Sequence, residues 1–208
     1  HELKTPLTLI LTNLDIAEAE LGQNEWLDDI RSEGRQMTEL VGQMVTLCRM
    51  DEEKPPLNKT TLDLSETVKD TVADFLPLAG ERGKTLTAAV ADGVQVCGDE
   101  GAIRRLLAIL LDNAVKYCDA KGTIAASLTR RGKQGFVIAI SNAYAKGEGE
   151  DYSHYFERFY RGDSSHDSTI PGYGIGLSMA KEMVALLDGQ ISVSYKDHII
   201  TYALTFEH

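Results

Sequence analysis

The amino-acid sequence predicts an α+β fold in two parts, a helical hairpin at 1–53 and an α/β sandwich at 61–208, joined by a linker at 54–60. Three observations predict it. Apolar residues recur at intervals of three and four through the first fifty positions, the mark of amphipathic helices. Asp51-Glu-Glu-Lys-Pro-Pro56 then ends that pattern with two prolines that no helix continues through. Beyond it, segments of helical and strand period are mixed, which points to antiparallel strands with helices on one face.

In the first helix Leu3, Leu7, Ile10, Leu14, Ala17 and Leu21 share a face. Gly22, Gln23 and Asn24 interrupt it, and Trp26, Ile30, Met37, Leu40, Val41, Met44, Leu47 and Cys48 make a second stripe. Two helices are too thin to enclose a core, so the hairpin is expected to pair with a second copy as a dimeric four-helix bundle; packing on its own second part is the alternative. After the linker, a strand near 58–62 leads to Ser65, read as a helix cap, and a helix running to about residue 79. Strands at 84–90 and 94–97 precede a strong helix at 99–117, and a hairpin covers 122–130 and 135–141 with Gly132 in its turn region. Residues 143–171 are polar, Gly-rich and poorly periodic, the pattern of a mobile lid. A helix at 174–187 and strands at 189–196 and 200–206 complete the chain.

The 208 residues carry a net charge of −11, which argues against nucleic acid as a direct partner, since a phosphate backbone needs a basic footprint. Cys48, Cys97 and Cys118 lie far apart with no CxxC pair, which suits a reducing, cytoplasmic setting. The histidines show no metal-ligand spacing. The longest aliphatic run, 106–111, is far short of the ~20 residues that span a bilayer. A chain that opens on the histidine itself reads as an excised piece, and any membrane contact is expected only through a missing N-terminal part.

The chemistry begins with His1-Glu-Leu-Lys-Thr-Pro-Leu-Thr8. A neutral imidazole is a workable nucleophile near pH 7, and the adjacent Glu2 carboxylate can accept its proton. Thr5 falls one helical turn on, on the face of His1, and Pro6 loosens the helix just beyond. Further along, Asn113, Lys116 and Tyr117 share a helix face: an amide oxygen suits a hard cation and a lysine suits phosphate. On spacing alone this is equally an ordinary solvated face. Pro171-Gly-Tyr-Gly-Ile-Gly-Leu177 runs into a helix start, where glycines and free N–H groups receive phosphate.

Taken together, these segments resemble the sensor histidine kinases. The octet resembles their phosphoacceptor box, 110–117 their N box, Phe156-Glu-Arg-Phe-Tyr-Arg161 their F box and 171–177 their second glycine box, so the resemblance covers essentially the whole chain. It implies a dimerisation and phosphotransfer hairpin followed by an ATPase domain of the Bergerat (GHKL) type. It implies ATP and Mg²⁺ as cofactors, with Asn113 as the metal ligand. Nucleotide contacts would come from Asn113, Lys116, Tyr117, Asn142, Arg161, Gly172, Gly174, Gly176 and Leu177. The implied reaction is phosphorylation of His1 with Glu2 as base and transfer to a response-regulator receiver domain; Thr5 would orient water for the reverse, phosphatase reaction.

The resemblance is imperfect between the N and F boxes. A gap-free count from Phe156 sets Asn142-Ala-Tyr-Ala-Lys146 where the family has Asp-x-Gly-x-Gly. An amide oxygen still accepts from adenine, but losing the charge-assisted part of the bond is worth on the order of 1 kcal/mol. Tyr144 and Lys146 also bring side chains where the family has none. An alternative register through Gly147-Glu-Gly149 needs an insertion and supplies no Asp. Ile109 stands where the family often has another asparagine, and Lys196-Asp-His-Ile199 replaces a glycine-containing turn. A slow or conditional kinase is therefore expected, with a non-catalytic dimeric scaffold as the alternative. A gyrase- or chaperone-type ATPase shares the nucleotide fold, and the histidine octet argues against it.

Overall fold

A computed structural model describes residues 4–22, 24–52, 56–132, 135–161 and 173–207. The chain divides into two compact units, His1–Pro55 and Pro56–His208. The first consists of helices α1 (Lys4–Leu21) and α2 (Glu25–Glu52). Gly22, at φ +78°, closes α1 by donating its N–H to the Glu18 carbonyl at 2.9 Å. The Asn24 side chain opens α2 by accepting from the Trp26 N–H at 2.9 Å. Leu7, Leu14 and Val41 are buried between the helices, and Arg31 reaches across to Asp15 at 3.1 Å and to Glu18. Ile10 is 47% exposed although it lies on the predicted apolar face, and Trp26, Ile30, Met37 and Met44 are exposed as well. The stripes are wider than one partner helix can cover.

In the second unit β1 (Thr60–Asp63) pairs antiparallel with β3 (Gln95–Gly98), so extended structure begins at the last residue of the expected linker. Asp63, not Ser65, caps α3 (Leu64–Glu81): its Oδ1 accepts from the Glu66 N–H at 3.2 Å. Ser65 is buried inside the helix, where its hydroxyl donates to the Ala91 carbonyl at 2.7 Å and accepts from the Val94 N–H at 2.9 Å. Both residues are cap formers, and only the tertiary contact with the segment before β3 distinguishes them. α4 (Glu100–Tyr117) is capped by Asp99 and presents Leu106, Leu107, Leu110 and Leu111 to the core.

The main sheet has the order β2 (Thr85–Val90), β4 (Thr123–Arg131), β5 (Gly135–Ala143), β7 (Ile199–Phe206), β6 (Gln190–Lys196). Its neighbours are antiparallel except β2 and β4, which run parallel. That one departure from an antiparallel sheet follows from the chain between them, which passes through β3 and α4 and so has the length a parallel crossover requires. Strand alternation sends Ile124, Ala126 and Leu128, Phe136, Ile138 and Ile140, and Ile200, Tyr202 and Leu204 to one buried face. α3, α4 and α5 (Gly176–Leu186) pack there. The β6–β7 turn sets Asp197 and His198 at φ +51° and +61°, a two-residue hairpin turn made without glycine.

Candidate functional site

The inward row of β5 continues past Ile138 and Ile140 to Asn142, which is 1% exposed and lies in register between Ile124 and Ile200. A primary amide in an apolar row is costly unless both ends are bonded. Here the Nδ2 donates to the Ala143 carbonyl at 3.0 Å, while the buried Oδ1 has no partner among the described residues. The Nδ2 bond fixes the amide so that an acceptor is presented with nothing to accept. Asn142 thus stands one residue before the end of β5, a strand that runs two residues beyond the expected 141.

Asn113 repeats the pattern on α4. It is half-buried, and its Oδ1 is enclosed without a partner among the described residues. Ile109, one turn earlier, approaches the Cβ position of Gly176 at 3.6 Å. The residue that departs from the N-box pattern therefore seats the first residue of α5, and the second glycine segment passes into that helix beside the one that carries Asn113. Lys116 is paired within α4 to Asp112 at 2.6 Å, and Tyr117 is the last residue of that helix.

Gly174 has φ +70°, and a Cβ there would lie 2.6 Å from the Tyr160 carbonyl oxygen and 2.7 Å from the Phe159 carbonyl carbon. Only glycine fits so close to another backbone. The Phe159 N–H donates to the Gly174 carbonyl at 2.9 Å, so the F-box segment and the second glycine segment meet main chain to main chain. The Phe159 ring is 58% exposed, so the contact is made by its backbone, while Phe156 is half-buried and edge-on to Tyr202 at 6.5 Å. Arg161 is half-buried, and Gly176 and Leu177 open α5. Thr5 lies exposed in the first turns of α1. His1, Glu2 and Gly172 lie outside the described residues, as does the stretch 162–171 of the expected lid.

After β5 the chain makes two short 3-10 turns, Ala145–Gly147 and Tyr152–His154. Of the two side chains expected to narrow this loop, Lys146 points to solvent and Tyr144 is buried at 8% exposure. The Tyr144 hydroxyl donates to Glu150 Oε1 at 2.9 Å, and the Tyr155 hydroxyl donates to the other oxygen of the same carboxylate. Burial, and then the Glu150 hydrogen bond, push the Tyr155 phenol far above its ordinary range. Burial, and then the Glu150 charge, push Tyr152 up to about 12. Sequence reasoning passed over Glu150, Tyr155 and Tyr202; the only hint was the density of tyrosines between 144 and 160.

Among the described residues no helix is long and apolar enough to cross a membrane. Residues 1–53 match the His Kinase A (phospho-acceptor) domain model, and 98–206 match that of the histidine kinase-, DNA gyrase B- and HSP90-like ATPases. The chain is 34% identical over 191 residues to the sensor protein DltS of Streptococcus agalactiae serotype V, covering 92% of this chain and 48% of the relative. It is 31% identical over 198 residues to the sensor histidine kinase CusS of Escherichia coli K12, covering 93% and 41%. It thus spans about half the length of the curated relatives it matches. Among solved structures, full-length ShkA in complex with AMPPNP aligns at TM-score 0.83 and 20% identity over 99% of this chain and 43% of its own. The Acinetobacter baumannii histidine kinase AdeS aligns at 0.72 and 20% over 100% and 97%. The paired acceptors on α4 and β5, the glycine seat of α5 and these matches lead to one conclusion: the chain belongs to the sensor histidine kinases, as a phosphoacceptor domain followed by an ATPase domain.

Proposed function

We propose that this chain is the phosphotransfer core of a two-component sensor: it takes the γ-phosphoryl of Mg²⁺-ATP onto His1 and passes it to an aspartate of a response-regulator receiver domain. The observation that carries the reading is the pair of buried amide oxygens, on Asn113 and Asn142, that have no partner among the described residues. Each is an acceptor whose burial is destabilising by about 1–3 kcal/mol until a ligand meets it. Asn142 Oδ1 suits an exocyclic amine of the base, and Asn113 Oδ1 is a hard oxygen of the kind that takes Mg²⁺. When bound, the cation would offset charge on the phosphates. Lys116, released from Asp112, and Arg161 would bring cations to the phosphates, and Tyr117 would flank them. The backbone around Gly172, Gly174, Gly176 and Leu177 would offer N–H groups at the start of α5.

In the reaction a ring nitrogen of His1 bonds to the γ-phosphorus as its bond to the bridging oxygen breaks. ADP departs, and the ring proton passes to Glu2. The phosphoryl group then moves from nitrogen to a regulator carboxylate, with Thr5 positioned to orient water for dephosphorylation of that regulator. The regulator docks on the hairpin near His1. The exposed Trp26, Ile30, Met37 and Met44 supply the apolar surface that a second copy covers in a homodimer. The reading gives the chain a cytoplasmic setting, as the cytoplasmic portion of a membrane-anchored sensor. Incubation with γ-³²P-ATP should give an acid-labile, base-stable label that His1→Gln abolishes; label persisting in that variant would remove His1 from the mechanism.

A further inference from the structure

The loop that follows Asn142 is closed by side chains. Tyr144 lies two residues on, facing inward on the same side as Ile140 and Asn142. Its hydroxyl and that of Tyr155 hold the two oxygens of Glu150. Gly147 lets the loop fold this tightly: a Cβ there would stand 2.4 Å from the Tyr152 hydroxyl and 2.7 Å from the Tyr144 ring. The Tyr152 hydroxyl donates to the Gly147 carbonyl at 2.5 Å and fastens the turn. Ring contacts consolidate the cluster, with the Tyr152 and Tyr155 centroids 4.8 Å apart.

We propose that Tyr144, held by Glu150, is a gate on the base subsite: while the Tyr144–Glu150–Tyr155 hydrogen bonds are made, its ring fills the space beside the Asn142 acceptor, and Mg²⁺-ATP seats its base only when they open. The inference rests on the reading of Asn113 and Asn142 as nucleotide ligands. Nucleotide affinity then equals the affinity of the open form multiplied by the fraction of chains that are open. Each hydrogen bond that holds the closed form lowers that fraction, so removing one should raise the apparent affinity.

The full chain is titrated with trinitrophenyl-ATP in Mg²⁺, and the probe is displaced with Mg²⁺-ATP. Tyr144→Phe and Tyr155→Phe, which keep the rings and remove one hydroxyl each, should tighten binding about threefold to tenfold. Tyr144→Gly, which removes the ring, should tighten it at least as much. A variant that merely loosened the fold would change affinity in the opposite direction. Wild-type or weaker binding by both phenylalanine variants overturns the gate. If Asn113→Ala still abolishes binding in that case, the nucleotide site stands without it. Binding by Tyr144→Gly where wild type takes no probe supports the gate in its fully shut form. No binding by any variant at millimolar nucleotide overturns both the gate and the site.

Discussion

Asn142→Val separates the demands of stability from those of ligand binding. In the folded chain the Asn142 oxygen is buried without a partner among the described residues, between Ile124 and Ile200. Removing it relieves about 1–3 kcal/mol. The Nδ2 bond to the Ala143 carbonyl is also lost, at about 1 kcal/mol. That carbonyl is not orphaned, because it also accepts from the Asp119 N–H at 3.0 Å. A β-branched side chain between two isoleucines returns a few tenths to 1 kcal/mol by apolar burial and cross-strand packing. The balance favours the variant by about 1–2 kcal/mol, which raises Tm by roughly 3–6 °C for a unit of this size. Calorimetric melting with and without Mg²⁺-ATP reads both halves. Nucleotide should raise the wild-type Tm and leave the stabilised variant almost unmoved, because only the native state binds. A less stable variant that nucleotide still protects would refute the reasoning, since the amide would then be a structural residue rather than a waiting acceptor.

Two further outcomes follow from local geometry. Ser65→Ala should destabilise the second unit by about 2 kcal/mol because it breaks two buried hydrogen bonds, whereas Asp63→Ala should remove about 1 kcal/mol as a lost cap; urea unfolding that ranked them the other way would restore Ser65 as the cap. His154 has its Nδ1 2.8 Å from Glu157, and that hydrogen bond, followed by the Glu157 charge, holds its pKa above the ordinary 6.5. The contribution of the pair is therefore fully present below pH 6.5 and is lost as pH rises through the raised value. Ring resonances in an NMR titration should move with a midpoint above 6.5, and Glu157→Gln should bring it down; a wild-type midpoint at or below 6.5 would contradict the pairing.

Period and punctuation made most of the fold legible. Inward alternation on β4, β5 and β7, the leucines of α4 and the stop-and-start at Gly22 and Asn24 are local patterns that the chain follows with small shifts at the ends. The misread details depended on distant partners. Ser65 and Asp63 are equivalent caps until Ala91 and Val94 claim Ser65. Phe159 meets Gly174 through its main chain, a contact that no side-chain pattern signals. The parallel β2–β4 pair is decided by which strands the long crossover brings together, a matter of topology rather than propensity.

The sequence alone determined the order of the boxes and the residue types they offer, because amide oxygens, lysines and glycines carry their chemistry wherever they stand. It also exposed the place where the pattern fails, at Asn142-Ala-Tyr-Ala-Lys146. Only the tertiary structure decided what that failure means. It turns Lys146 outward and Tyr144 inward, and it brings Glu150 and Tyr155 onto the Tyr144 hydroxyl. Asn142, a loss when read along the chain, becomes a buried acceptor once Ile124 and Ile200 exclude water from it. Hydrogen-bond satisfaction is a property of neighbours in space, and neighbours in space are what a linear sequence does not state.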